Sequence, residues 1–83
     1  MKLTVLYFAR LREALGRTRD EVDAPVSTVG ELRAWLIDRG EPWREGFADS
    51  PRIRAAVDQV MADDRAALNE GSEVAFFPPV TGG

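Results

Sequence analysis

The sequence contains no cysteine and no histidine. The first absence excludes disulfides, thiolate metal sites and a cysteine nucleophile. The second removes the commonest metal ligand and the commonest general base near neutral pH. Lysine is almost missing too: Lys2 stands alone beside ten arginines, so the chain offers almost no side-chain amine as an acceptor. Basic residues are outnumbered, 11 against 14 Asp and Glu, for a formal charge of −3. A phosphate backbone needs a basic face, so nucleic acid is not an expected partner. No apolar run reaches the length of a membrane span. In "MKLTVLYFA" the apolar run ends at Arg10 with no cleavage-like segment after it. The expectation is a cytoplasmic protein with no membrane partner. At 83 residues and 45% hydrophobic content there is material for one domain and one modest core.

What is present alternates in period. "KLTVLYFA" (2–9) reads as a strand, with Leu3, Val5 and Tyr7 on one side and Thr4, Leu6 and Phe8 on the other. Large apolar groups on both sides imply an inner strand, or a second side that meets another molecule. "ARLREALG" (9–16) switches to helical spacing through Leu11 and Leu15, and Gly16 is a natural stop. "RDEVDAP" (19–25) is a short polar strand. "STVGELRAWLIDRG" (27–40) is the clearest helix, with Thr28 and Glu31 as a capping box and Val29, Leu32 and Leu36 as its stripe. Gly30 reads as a weak point in it. Residues 41–51 form a loop or short helical turn, which Trp43 and Phe47 fold over an edge of the core. "RIRAAV" and "VMA" flank Asp58 and Gln59 as a tight hairpin. Asn69 to Gly71 turn the chain into a last strand, Glu73 to Phe77. This order predicts an α+β roll: a mixed sheet of four or five strands with one main helix on one side. The other side must be polar or an interface. Residues 1–77 form the domain and 78–83 a flexible tail.

That tail is the unusual part. The chain ends "EVAFFPPVTGG". Pro78 and Pro79 each fix φ and lack an amide donor, so they end the ladder in extended geometry. Six residues fully stretched reach roughly 20 Å. Gly82 and Gly83 carry no side chain, so a group on the terminal carboxylate would enter a channel too narrow for a Cβ. Joined to AMP, that carboxylate becomes a mixed anhydride. A sulfur donor then displaces AMP and leaves a thiocarboxylate. None of these steps needs histidine or cysteine in this chain. The plain alternative is a frayed terminus.

With "VLYFARLRE" near the start, "AAVDQ" in the middle and "GSEVAFFPPVTGG" at the end, the sequence resembles the small subunits of molybdopterin synthase over nearly its whole length. The resemblance implies the ubiquitin-like β-grasp fold. It implies that Gly83 is adenylated by an activating enzyme, converted to a thiocarboxylate, and inserted into the large catalytic subunit. There it would supply sulfur to precursor Z (cyclic pyranopterin monophosphate) for the molybdopterin dithiolene. Such synthases are heterotetramers. ATP and magnesium would belong to the activating enzyme, and no cofactor or metal to this chain. Pro78, Pro79, Val80, Thr81 and Gly82 would thread the partner's channel. The family often has asparagine where this chain has Asp58, which touches only the turn.

For a partner surface, Leu6 and Phe8 share one side of the first strand, Ala75 and Phe77 one side of the last, and Met61 follows the hairpin turn. Each is also a core candidate. Arg12 is suggested by the resemblance as a polar rim contact, with an exposed helix arginine paired to an acid as the alternative. Trp35 and Trp43 read as structural, and Asp63 and Asp64 as solvated. Two other functions remain open: a sulfur carrier for another product, such as the thiamine thiazole, and a ubiquitin-like protein modifier joined through Gly83.

Overall fold

The computed structural model describes residues 1–48 and 52–78. Strand β1 (Lys2–Tyr7) buries Leu3, Val5 and Tyr7 and turns Lys2, Thr4 and Leu6 the other way. It ends two residues before the apolar run does, because Ala9 has a φ of 53°. That left-handed residue swings the chain out of the ladder and into helix α1 (Ala9–Leu15). For a non-glycine residue the conformation costs roughly 1–2 kcal/mol. Gly16 closes α1 at φ 70°, its N–H donating to the Arg12 carbonyl at 2.9 Å.

Strand β2 (Arg19–Asp23) follows, then helix α2 (Val29–Asp38). The Thr28 hydroxyl accepts from the Glu31 N–H at 3.2 Å. The return half of the expected capping box lands one residue earlier. Glu31 Oε1 accepts from the Ser27 N–H at 2.7 Å and the Ser27 hydroxyl at 3.0 Å. These bonds, the backbone one foremost, hold the Glu31 carboxyl below its ordinary range. A single helical turn, α3 (Trp43–Gly46), leads to β3 (Arg54–Val57), β4 (Val60–Ala62) and β5 (Glu73–Phe77). Asp58 and Gln59 join β3 to β4 with φ of 49° and 71°. Two positive values are what a type I′ hairpin requires. Asp58 also ties the hairpin tip to β5: its N–H donates to the Glu73 carbonyl at 2.8 Å, and its Oδ1 accepts from the Glu73 N–H at 2.9 Å. An asparagine oxygen would accept the same bond.

The sheet order is β2-β1-β5-β3-β4. All neighbours are antiparallel except β1 and β5, which run parallel with Tyr7 opposite Phe76. One side of this mixed sheet carries Leu3, Val5, Tyr7, Val22, Ala55, Val74 and Phe76 into the core. Helix α2 meets it with Val29, Leu32 and Leu36, and α1 with Leu11 and Leu15. This is the β-grasp roll. Phe47 goes deeper than an edge: it is 1% exposed and meets Phe76 edge-on, with centroids 5.3 Å apart. Such a pair contributes about 0.5–1.5 kcal/mol beyond its buried area. Gly30 is a close approach as well as a propensity cost. Its N–H donates to the Asp64 carbonyl at 2.9 Å, and a Cβ there would lie 3.1 Å from Asp64. Asp64 is not idle either, since its Oδ1 accepts from Arg33 Nη2 at 2.9 Å.

A polar clasp closes one end of the core. Trp43 Nε1–H donates to the Tyr7 hydroxyl at 3.2 Å, and that hydroxyl donates to Asp20 Oδ2 at 3.4 Å. Arg39 and Arg17 reach the same oxygen at 3.0 and 3.3 Å. Arg39 also lies over the rings of Trp43 and Trp35, at 4.0 and 5.2 Å. Burial pushes the Tyr7 hydroxyl up to about 12 from 10.0. The folded state therefore keeps its proton where the unfolded chain has lost it. Unfolding free energy should fall as pH rises from 10 toward 12. Denaturant titrations of the parent and of Tyr7→Phe across that range should converge as pH rises, because the variant lacks this titration.

Candidate functional site

The side of the sheet away from the helices is where the apolar candidates meet. The strand registers set Arg19, Leu6, Ala75, Ala56 and Met61 in one row across all five strands. Arg54 and Phe77 face each other in the next row. Phe8, still extended at φ −123° and ψ 157°, follows β1 on the same side, its N–H donating to the Phe76 carbonyl at 3.1 Å. The turn at Ala9 begins immediately after it. Leu6, Phe8, Met61, Ala75 and Phe77 thus share one face, and none belongs to the buried core. Phe8 is 45% exposed and Met61 56%, while Leu6, Ala75 and Phe77 are half-buried. Exposed apolar groups gathered this way mark an interaction surface more often than chance scatter does.

Ala56 is a member that sequence reasoning missed. In "RAAV" either alanine can face the core. Only the hairpin register, with Ala55 opposite Phe76 and Ala56 opposite Ala75, decides between them. Its small side chain keeps the middle of the face flat.

Arg12 is exposed on α1 and forms no ion pair among the described residues. Pro78 is half-buried. It lines a cleft of about 280 Å³ with Arg10, Leu11 and Ala14 of α1 and with Ile53. The root of the tail therefore sits at the sheet end where Phe8 and Phe77 lie. Pro79, Val80, Thr81, Gly82 and Gly83, the remaining expected tail residues, lie outside the described residues.

Among the described residues no three Asp or Glu side chains gather to hold a metal ion. Burial pushes the Tyr7 hydroxyl up to about 12, far from the range of a general base near neutral pH. No helix among the described residues is long and apolar enough to cross a membrane. What the arrangement provides is an apolar face with Pro78, the first tail residue, at its edge.

Comparison with known proteins agrees over the full length. The model of the ThiS family matches residues 5–83. The molybdopterin synthase sulfur carrier subunit of Escherichia coli K12 is 41% identical over 81 residues, covering 98% of this chain and 99% of that protein. Among solved structures, SAMP1 from Haloferax volcanii superposes with a TM-score of 0.79 at 25% identity, covering both chains fully. A putative molybdopterin converting factor subunit 1 from Pyrococcus furiosus gives 0.77 at 29% identity, over 96% of this chain and 99% of that one.

The face and the core should separate cleanly by mutation. Met61→Ser should change unfolding free energy by no more than about 0.5 kcal/mol. Phe76→Ala, from the opposite side of β5, should cost about 3–5 kcal/mol. Urea denaturation followed by tryptophan fluorescence measures both.

Proposed function

Because this chain belongs to the ThiS family, we propose that it is the sulfur-carrier subunit of a molybdopterin synthase, with Gly83 as its reacting residue. The observation that carries the reading is the apolar face that ends at the root of the "PPVTGG" tail. The full-length similarity to the Escherichia coli sulfur carrier subunit supports it. Burying an exposed side chain such as Phe8 or Met61 gives about 1.5–3 kcal/mol. Several together anchor a partner while the tail enters it.

The chemistry then runs at the arm. In an activating enzyme, the Gly83 carboxylate attacks the α-phosphate of ATP and releases pyrophosphate. A sulfur donor displaces AMP and leaves the thiocarboxylate. In the large subunit, that sulfur attacks a side-chain carbon of precursor Z and displaces the oxygen substituent there, forming a thioester. Water then cleaves the acyl–sulfur bond, which leaves the sulfur on the pterin and returns the Gly83 carboxylate. A second carrier supplies the second sulfur of the dithiolene. The body contributes position: Leu6, Phe8, Met61, Ala75 and Phe77 dock, Arg12 meets the partner's rim, and Pro78 to Gly82 span the channel. Ordering a tail residue costs on the order of 1–2 kcal/mol, which the prolines lower by restricting the free chain. The assembly is a heterotetramer, with one carrier at each end of a dimer of large subunits.

Intact-mass analysis after co-expression with the cognate activating enzyme tests this directly. The expected product is a chain with one oxygen replaced by sulfur. Deleting Gly83 should abolish that product and dithiolene formation while leaving the melting temperature unchanged. The structural likeness to SAMP1, named as a small archaeal modifier protein, gives the contrary outcome a concrete form. Isopeptide conjugates on target lysines, without a thiocarboxylate, would make the chain a modifier instead.

A further inference from the structure

The apolar row on the open face is bracketed by two charges on inner strands. Glu73 lies two residues before Ala75 on β5, and Arg54 lies two residues before Ala56 on β3, opposite Phe77. Because β3 and β5 are antiparallel, the two charges fall on opposite sides of the row. Four residues of strand, roughly 13 Å, separate the row of Glu73 from that of Arg54. Glu73 is half-buried and Arg54 exposed, and neither forms a salt bridge among the described residues. Glu21 and Asp58 flank Glu73, through Thr4 on one side and the hairpin tip on the other. Glu21 is neutralised by Arg19 at 2.8 Å, so of these acids the ones without an ion pair, among the described residues, are Glu73 and Asp58. Arg54 lines a groove of about 860 Å³ beside Met61, whose lining also holds Arg65 and Asp63. Asp64, in the same groove, is occupied by Arg33.

We propose that Glu73 and Arg54 set the register of docking: the surface that receives this face carries a cation over Glu73 and an anion over Arg54. The partner is the large subunit, so this rests on the function proposed above. An apolar face alone fixes contact but not direction, because dispersion and water release have no sense of orientation. The tail, however, works only if it points into the channel. With Arg54 on the tail side and Glu73 on the far side, a docking turned end over end sets like charges against each other. Opposed charge pairs favour the productive encounter and disfavour the reversed one.

The test is association kinetics of the full-length chain with its cognate large subunit, by stopped-flow fluorescence at low and high salt. Glu73→Arg and Arg54→Glu should each slow association by about tenfold or more at low ionic strength. The loss should shrink as salt screens it. Glu73→Gln should show a smaller loss of the same kind, and covers the case in which the reversal disturbs folding. Met61→Asp should weaken binding at every salt concentration. If Met61→Asp weakens binding but either reversal leaves the low-salt rate within about twofold of the parent, the two-point register is wrong and the docking face stands. If Met61→Asp changes nothing, both the register and the docking face are wrong.

Discussion

The parallel pairing of β1 with β5 is the constraint on which everything else rests. It joins the first strand to the last in the middle of the sheet, with Tyr7 opposite Phe76. Parallel neighbours cannot be linked by a tight turn and need a long crossover. Here that crossover holds α2, whose Val29, Leu32 and Leu36 cover the side on which Val5 and Val74 meet. The same pairing sets Phe8 beside Phe77 on the uncovered side. Core and contact face are thus two sides of one ladder, and a one-residue slip would exchange them.

The chain carries no thiol or imidazole, and burial holds the Tyr7 hydroxyl in its protonated form. The strained and anchored contacts sit at both ends of the sheet: the Asp20 clasp around Tyr7 and Trp43 and the left-handed Ala9 at the end where Pro78 leaves, and the Asp58 anchor on Glu73 at the other. Strain of this kind tends to collect beside working surfaces.

Much of this was legible in the sequence, and the failures have identifiable causes. Alternation in "KLTVLY" gave the sides of β1, and helical spacing gave α1 and α2, because those signals are local. The Asp58–Gln59 turn was found although neither residue is glycine, since the runs on both sides constrain it. The bond from Glu31 to Ser27 was misplaced because a flexible side chain chooses among neighbouring amides. The close approach at Gly30 is hidden in the sequence, where the residue shows only a propensity cost, since its contact with Asp64 joins residues far apart in the chain. The same holds for Ala56, for Phe47 against Phe76, and for the arginines that converge on Asp20. Long-range geometry is invisible to periodicity. The candidate face was legible strand by strand, but its continuity depended on the registers.

The central place of β5 has a consequence during synthesis on the ribosome. Until residues 73–77 emerge, β1 and β3 have no strand between them, and the nascent chain holds two separate edges with half a core. Such edges invite pairing with foreign chains. The sheet therefore closes only when β5 arrives between β1 and β3. A translation product truncated before β5 would be an obvious substrate for chaperones and proteases, so chains that lack the last strand would not accumulate in a folded form.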